Sequence, residues 1–150
     1  MAAMLYCGEG PDGHDQPRSG DRLRLDGDRV LRVLIVEDEV LIAMHLETTM
    51  EDMGLEVCGI VATGADALDM AAATQPDLIL MDVNLRGAMD GVEAARWVCD
   101  GSDTRIIFVT AYGDPQTLRR IEAATPRAPV LHKPPRPADL LAAIKRVIDG

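Results

Sequence analysis

From Leu31 onward, short runs of apolar residues alternate with longer stretches in which apolar residues recur at helical spacing. Runs that are apolar at consecutive positions predict strands covered on both faces, and an i, i+4 spacing predicts amphipathic helices. The predicted strands are 33–36, 56–61, 78–82, 105–110 and 129–132. The predicted helices are 42–53, 65–73, 91–98, 114–124 and 138–148.

Five strand–helix units in a chain of 150 residues predict an α/β fold with a parallel sheet and helices on both faces. Right-handed crossovers and an early reversal of strand order favour the flavodoxin-like, doubly wound order 2-1-3-4-5. Between the predicted strands and helices the sequence contains neither GxGxxG nor GxxxxGK[ST]. A dinucleotide or nucleoside triphosphate site is therefore disfavoured.

The first 29 residues differ in composition from the rest of the chain. Residues 8–21 are polar, rich in Gly, Pro and Asp, and lack a period. We therefore expect residues 1–29 to form a disordered or weakly structured arm ahead of one domain over 30–150. Residues 22–26 alternate in polarity, and a brief strand or hairpin is the alternative for that stretch. A further hypothesis places the start of translation near Val30, which mass spectrometry of the native protein would test.

The composition narrows the class of protein. A hydrophobic fraction of 47% supports one domain with a full core, and the formal charge of −10 disfavours nucleic-acid binding, which needs a basic face. Cys7, Cys58 and Cys99 are widely spaced without a CxxC motif, which favours reduced thiols over disulfides or a zinc site. No apolar run approaches the ~18 residues of a membrane span, and no signal-peptide pattern is present. We expect a cytoplasmic protein without membrane insertion.

Polar side chains follow four of the predicted strands, which end in Glu37-Asp38-Glu39, Asp82, Thr110 and His132-Lys133-Pro134. Ligands of open α/β sheets bind outside the carboxyl ends of the strands. Glu37, Asp38 and Asp82 should converge where the first and third strands are neighbours. Mutual repulsion would raise their pKa values unless a cation neutralised them. Such oxygen ligands suit Mg²⁺, which prefers a few carboxylates, waters and phosphate oxygens.

Lys133 is notable because the chain contains 13 Arg and only two Lys. A compact ammonium suits a single phosphoryl or carboxylate oxygen better than a planar guanidinium does, although a solvated surface lysine is the alternative. With the Thr110 hydroxyl, this set predicts chemistry that moves a phosphoryl group onto or off a carboxylate such as Asp82. For an isolated strand-end Asp, helix capping or simple exposure is the alternative.

Five segments closely resemble, in order and spacing, motifs of the receiver domain of two-component response regulators. The segments are Val33-Leu34-Ile35-Val36-Glu37-Asp38-Glu39, Asp77-Leu78-Ile79-Leu80-Met81-Asp82, Met89-Asp90-Gly91, Phe108-Val109-Thr110-Ala111 and Lys133-Pro134. The match covers about residues 31–149 and implies the CheY-like form of the predicted fold.

The resemblance implies a magnesium site. Asp38 would bind Mg²⁺ directly and Glu37 mainly through water. Asp82 and the backbone carbonyl of Asn84 would complete the protein ligands.

The resemblance also implies phosphoryl chemistry at the same sheet edge. Asp82 would accept a phosphoryl group from the phosphohistidine of a histidine kinase. Thr110 would bond one phosphoryl oxygen and Lys133 would pair with another. The Lys133–Pro134 peptide bond is expected to be cis, as is usual in this family.

Three features depart from the commonest receiver pattern. The loop 83–89 is one residue longer and lacks a proline, and Val130 occupies the position of the switch aromatic. Residues 108–113 resemble the Phe-Ala-Thr-Gly-hydrophobic-Tyr motif of a subgroup that lacks this aromatic, although Ala111 replaces the glycine. Members of that subgroup are often stand-alone receivers of alphaproteobacterial signalling. Tyr112 either joins a replacement switch or caps the site.

We interpret the chain as a single-domain response regulator that promotes only its own phosphorylation and dephosphorylation and is otherwise not an enzyme. Since the chain ends soon after the last helix, its output is expected through the face of the fourth helix, fifth strand and fifth helix, or through a phosphorelay. The expected partners are a sensor histidine kinase or histidine phosphotransferase and an unidentified downstream protein, with no DNA.

Three alternatives remain open. A degenerate receiver would bind partners without being phosphorylated, although the complete set of site residues argues against it. A Mg²⁺-dependent aspartyl-phosphate phosphohydrolase would need a substrate-binding cap and a second acid where this chain has Asn84. A flavin-binding flavodoxin would need a phosphate-binding loop after the first strand instead of acids.

Overall fold

The computed structural model describes residues 24–25, 29–111 and 113–149. The strands in this part of the chain are β1 (Arg24–Leu25), β2 (Arg29–Val30), β3 (Arg32–Val36), β4 (Glu56–Val61), β5 (Leu78–Met81), β6 (Arg105–Thr110) and β7 (Val130–His132). The helices are α1 (Val40–Asp52), α2 (Gly64–Thr74), α3 (Gly91–Cys99), α4 (Pro115–Ala124) and α5 (Pro137–Asp149). The predicted elements are confirmed to within two residues at each end.

Five of the strands form a parallel sheet in the order β4-β3-β5-β6-β7. Counted along these five strands, this is the predicted order 2-1-3-4-5, and the doubly wound fold is confirmed. The order reverses between β3 and β5, which pair from Val33↔Leu78 to Val36↔Met81. The carboxyl ends of these two strands are therefore neighbours at one edge of the sheet.

The sheet separates two apolar cores, and consecutive strand residues contribute to opposite ones. In β3, Val33 and Ile35 pack with α1 and α5, whereas Leu34 and Val36 pack with α2, α3 and α4. All four side chains are at most 1% exposed. This two-sided burial explains why the strands are apolar at every position rather than at alternate ones.

Three helices begin with a side chain that caps them. The Thr63 hydroxyl accepts a hydrogen bond from the Asp66 amide, and Asp90 and Asp114 do the same at the starts of α3 and α4. The first residue of α3, Gly91, lies so close to the end of β5 that a Cβ atom would lie 1.9 Å from the Asp82 carbonyl oxygen. Only glycine allows α3 to start at this distance. Among the described helices, none is both long and apolar enough to cross a membrane.

The segment before the large sheet is attached to its amino-terminal edge. β1 and β2 form a short antiparallel ladder, which fits the hairpin alternative for 22–26, while residues 1–23 and 26–28 lie outside the described residues. The Arg29 guanidinium donates two hydrogen bonds to the Asp77 carboxylate at 2.8 and 3.0 Å. The same carboxylate accepts the Arg32 amide at 2.9 Å. Asp77 therefore joins β2, β3 and the start of β5.

We predict that Asp77→Ala lowers the free energy of unfolding by about 2 kcal/mol, because it deprives a partly buried amide and a guanidinium of their acceptor. Arg29→Ala should cost only ~0.5 kcal/mol, since Arg29 is half exposed. Urea unfolding measures both, with Arg136→Ala, which breaks an exposed pair with Asp139, as the matched control. Equal losses in all three variants would contradict a connecting role for Asp77.

Candidate functional site

The backbone of the site is fixed by extensions of the sheet ladder beyond the strand ends. The amide of Glu37 donates to Val61, and the amide of Asp82 donates to the carbonyl of Val36 at 3.0 Å. On the other side, the amide of Lys133 donates to the Thr110 carbonyl at 3.0 Å. Each polar residue therefore follows a strand whose position is set by its neighbours.

Lys133 joins two strand ends through one buried ammonium group. Its Nζ lies 2.5 Å from Glu37 Oε1 and 3.0 Å from Asp82 Oδ2, and its side chain is 9% exposed. Burial lowers the pKa of Lys133, but attraction to the two carboxylates outweighs burial and leaves the pKa raised. This stabilisation is fully present below the unfolded-state pKa of lysine and is lost as pH rises through the folded-state value.

Glu37 is a carboxylate that is costly to bury. Its side chain is 1% exposed, and Oε2 accepts the amide of Glu39 at 3.1 Å. The contact of Oε1 with Lys133 is an ion pair rather than a well-directed hydrogen bond. Burial raises the pKa of Glu37 and the Asp82 charge adds to this, against the lowering effects of Lys133 and the Glu39 amide. The buried Oε1 atom is thus still suited to a further cationic partner.

The acids after β3 form a cluster that fits a hard divalent cation. One carboxylate oxygen from each of Glu37, Asp38 and Glu39 lies within 4.8 Å of the others. The Asp82 carboxylate is linked to this cluster by the Lys133 ammonium, which pairs with both Asp82 and Glu37. Carboxylate oxygens at a partly solvated edge are the ligand type that Mg²⁺ prefers, so the residues present fit the predicted metal. The sequence analysis did not include Glu39 among the ligands, although it lies next to the predicted ones.

Of two further residues of the predicted set, Thr110 is buried like Asp82, which is 4% exposed, whereas Asn84 is exposed. Thr110 is fully buried at the end of β6 and lies opposite His132 in the ladder. Asn84 is exposed, and its amide donates to Asp82 Oδ1 at 3.3 Å. The structure thus brings the Thr110 and Asn84 backbones to the same edge as Asp82.

The loop after β6 contacts an imidazole that sequence reasoning assigned no role. A Cβ atom on Gly113 would lie 2.7 Å from the His132 ring, so the ring rests directly on the glycine backbone. His132 follows Val130 by two residues in β7 and therefore points to the same face of the sheet. Tyr112, the predicted switch or capping residue, lies outside the described residues.

The loop after β5 is seated on the start of α2. Arg86 forms an isolated parallel bridge with Thr63, and a Cβ atom on Gly64 would lie 2.8 Å from the Met89 carbonyl oxygen. The Arg86 side chain turns toward the acids, with Nε 3.7 Å from Asp38 Oδ2. The sequence analysis did not predict this ion pair. The sequence feature that could have indicated it is an arginine in the loop after Asp82.

Comparisons with known proteins bear on the whole domain. A family model described as the response regulator receiver domain matches residues 33–145. The phyllosphere-induced regulator PhyR of Methylorubrum extorquens is 34% identical over 125 residues, which cover 83% of this chain and 46% of PhyR. The transcriptional regulatory protein PdtaR of Mycobacterium tuberculosis is 34% identical over 117 residues, covering 78% of this chain and 56% of PdtaR. The chain thus spans about half the length of these curated relatives.

Solved structures show the same similarity. The receiver domain of a modulated diguanylate cyclase from Desulfovibrio desulfuricans superposes with a TM-score of 0.74 and 36% identity, covering 80% of this chain and 94% of that one. The PhyR receiver domain of Erythrobacter litoralis has a TM-score of 0.70 and 30% identity, covering 80% and 91%.

We predict that Glu37→Gln stabilises the protein at pH 7.5 by on the order of 1 kcal/mol, because the ionised carboxylate is costly to bury. Since burial raises the pKa of Glu37, the cost is fully present above the folded-state value. It is relieved as pH falls, so the gain should shrink toward pH ~4.

Urea unfolding at several pH values measures this difference. The exposed substitution Glu122→Gln is the matched control and should change stability little at any pH. A Glu37→Gln protein that is less stable than wild type at pH 7.5 would contradict the burial cost.

Proposed function

Because the chain belongs to the response regulator receiver family, we propose that Asp82 accepts a phosphoryl group from the phosphohistidine of a sensor histidine kinase or histidine phosphotransferase. The observation that carries this proposal is the buried Asp82 carboxylate, which shares the Lys133 ammonium with Glu37. A carboxylate held next to a fixed cation is prepared for an incoming group whose oxygens are negatively charged.

The transfer exchanges one bond of phosphorus for another. An Asp82 carboxylate oxygen attacks phosphorus, the P–N bond to the histidine breaks, and the electron pair leaves with the imidazole. Asp82 gives up its carboxylate charge on forming the acyl phosphate. Lys133, which then loses one of its two carboxylate partners, is available to a phosphoryl oxygen, and Thr110 is the proposed donor to another.

The proposed metal ligands are Asp38, Glu37 through water, Asp82 and the backbone carbonyl of Asn84. When bound, Mg²⁺ would neutralise phosphoryl oxygens and carboxylates together. The buried Glu37 orients the cluster, because its Oε2 accepts the Glu39 amide at the turn that presents Asp38.

The output of this domain is proposed to be a protein contact or a phosphorelay, in the cytoplasm, with residues 30–150 forming the receiver. We propose that the receiver itself is not an enzyme toward other substrates. The phosphohydrolase alternative has the weaker support, since Asn84 stands two residues after Asp82 where an acid would be needed. A degenerate receiver, which binds without phosphorylation, is separated from the main proposal by the experiments below.

We predict that acetyl phosphate with Mg²⁺ adds the mass of one phosphoryl group to the intact protein. The gain should be lost in Asp82→Asn and without Mg²⁺, and should persist in Asp103→Asn, which alters an exposed acid. Intact-mass spectrometry measures it, and beryllofluoride, a stable phosphoryl mimic, covers a short-lived adduct. Absence of both responses would leave the degenerate receiver as the better description.

We predict that Lys133→Gln slows phosphorylation by acetyl phosphate about tenfold or more, since it removes the cation facing the developing charge. Lys145, the other lysine of the chain, is exposed on α5, and Lys145→Gln is the matched control. The rate of adduct formation by intact mass gives the comparison. Equal rates for the two variants would exclude an electrostatic role for Lys133.

A further inference from the structure

The acids at the sheet edge pair with two cations, of which one is buried and the other is exposed. Glu37 and Asp82 share the ammonium of Lys133, which is 9% exposed. Asp38 pairs with Arg86, and among the described residues this is the one ion pair that its carboxylate makes. The Arg86 side chain is 81% exposed, whereas that of Asp38 is 15% exposed.

The backbone that carries Arg86 is fixed although its side chain is exposed. Arg86 bridges Thr63, whose hydroxyl caps α2, and Gly87 follows with φ +98°. The Met89 carbonyl rests on Gly64 at the first residue of α2. The backbone of Arg86 therefore has a fixed position next to the acid cluster. Its flexible side chain brings the guanidinium to Asp38.

We propose that Arg86 is the resident counter-cation of Asp38 and that a divalent cation displaces it on binding. This inference rests on the proposed metal site and concerns how that site is controlled. Asp38 is more exposed than Glu37 and Asp82, so an incoming ion and the guanidinium compete for the same carboxylate. Arg86 yields because its ion pair with Asp38 is long and exposed, whereas Lys133 is buried between two carboxylates.

Two consequences follow from this competition. The affinity for Mg²⁺ is lower than the carboxylates would otherwise give, because ion binding includes breaking the Arg86 pair and bringing a divalent charge near a guanidinium. The released guanidinium stays at the rim of the site on its fixed loop. Because the pair is exposed, salt screens the competition more strongly than it screens Lys133.

The test is the Mg²⁺ affinity of the unphosphorylated full chain, read from amide NMR shifts of Glu39 and Asn84 during a MgCl₂ titration. Arg86→Gln should bind Mg²⁺ about two- to fivefold more tightly than wild type at low salt, the range expected from removing an exposed ion pair. Arg86→Lys, which keeps the charge, should stay within about twofold of wild type. Arg146→Gln, a loss of charge in the last turn of α5, is the matched control and should not change the affinity.

The gain in Arg86→Gln should also shrink when KCl is raised toward 1 M, where the Debye length falls to ~3 Å. An unchanged or weaker affinity in Arg86→Gln overturns the inference, as does an equal gain in Arg146→Gln. If neither the wild type nor any variant binds Mg²⁺, the proposed metal site itself is wrong. Thermal unfolding of each variant shows that a changed affinity does not come from a damaged fold.

Discussion

One buried ammonium group holds the functional edge of this domain together. Lys133 lies between Glu37 and Asp82, and without it two carboxylates with almost no solvent access would face each other. Because β7 runs parallel to β3 and β5 in the same sheet, Lys133 lies at the same sheet edge as the two carboxylates. The parallel arrangement thus supplies the cation that compensates these buried charges.

The precision of this arrangement comes from the backbone. The ladder continues for one residue beyond β3, β5 and β7, through the amides of Glu37, Asp82 and Lys133. Gly91 lets α3 start directly against the Asp82 carbonyl. The chemistry-bearing side chains therefore stand on rigid elements, whereas the loops supply the residues that can change partners.

The sequence predicted the fold and most of the strand-end residues because both depend on local patterns. Consecutive apolar positions mark two-sided burial, and a polar residue after such a run marks the sheet edge. The contacts of Arg86 with Asp38, of Arg29 with Asp77 and of His132 with Gly113 could not be predicted in this way. Each joins segments that are distant in sequence, and their geometry depends on loop conformations that no periodicity encodes.

The two cations of the site show how a domain can keep acids close without locking them. The buried Lys133 ammonium serves two carboxylates, and its removal would leave both without a cation, so it fixes the geometry. An exposed pair such as Arg86 with Asp38 contributes little to stability, so it can be exchanged at low cost. If both cations were buried, the cluster would be stable but closed to an incoming ion. If both were exposed, the acids would lack a fixed reference position. The division into one permanent and one replaceable cation therefore meets the requirements of folding and of binding at the same sheet edge.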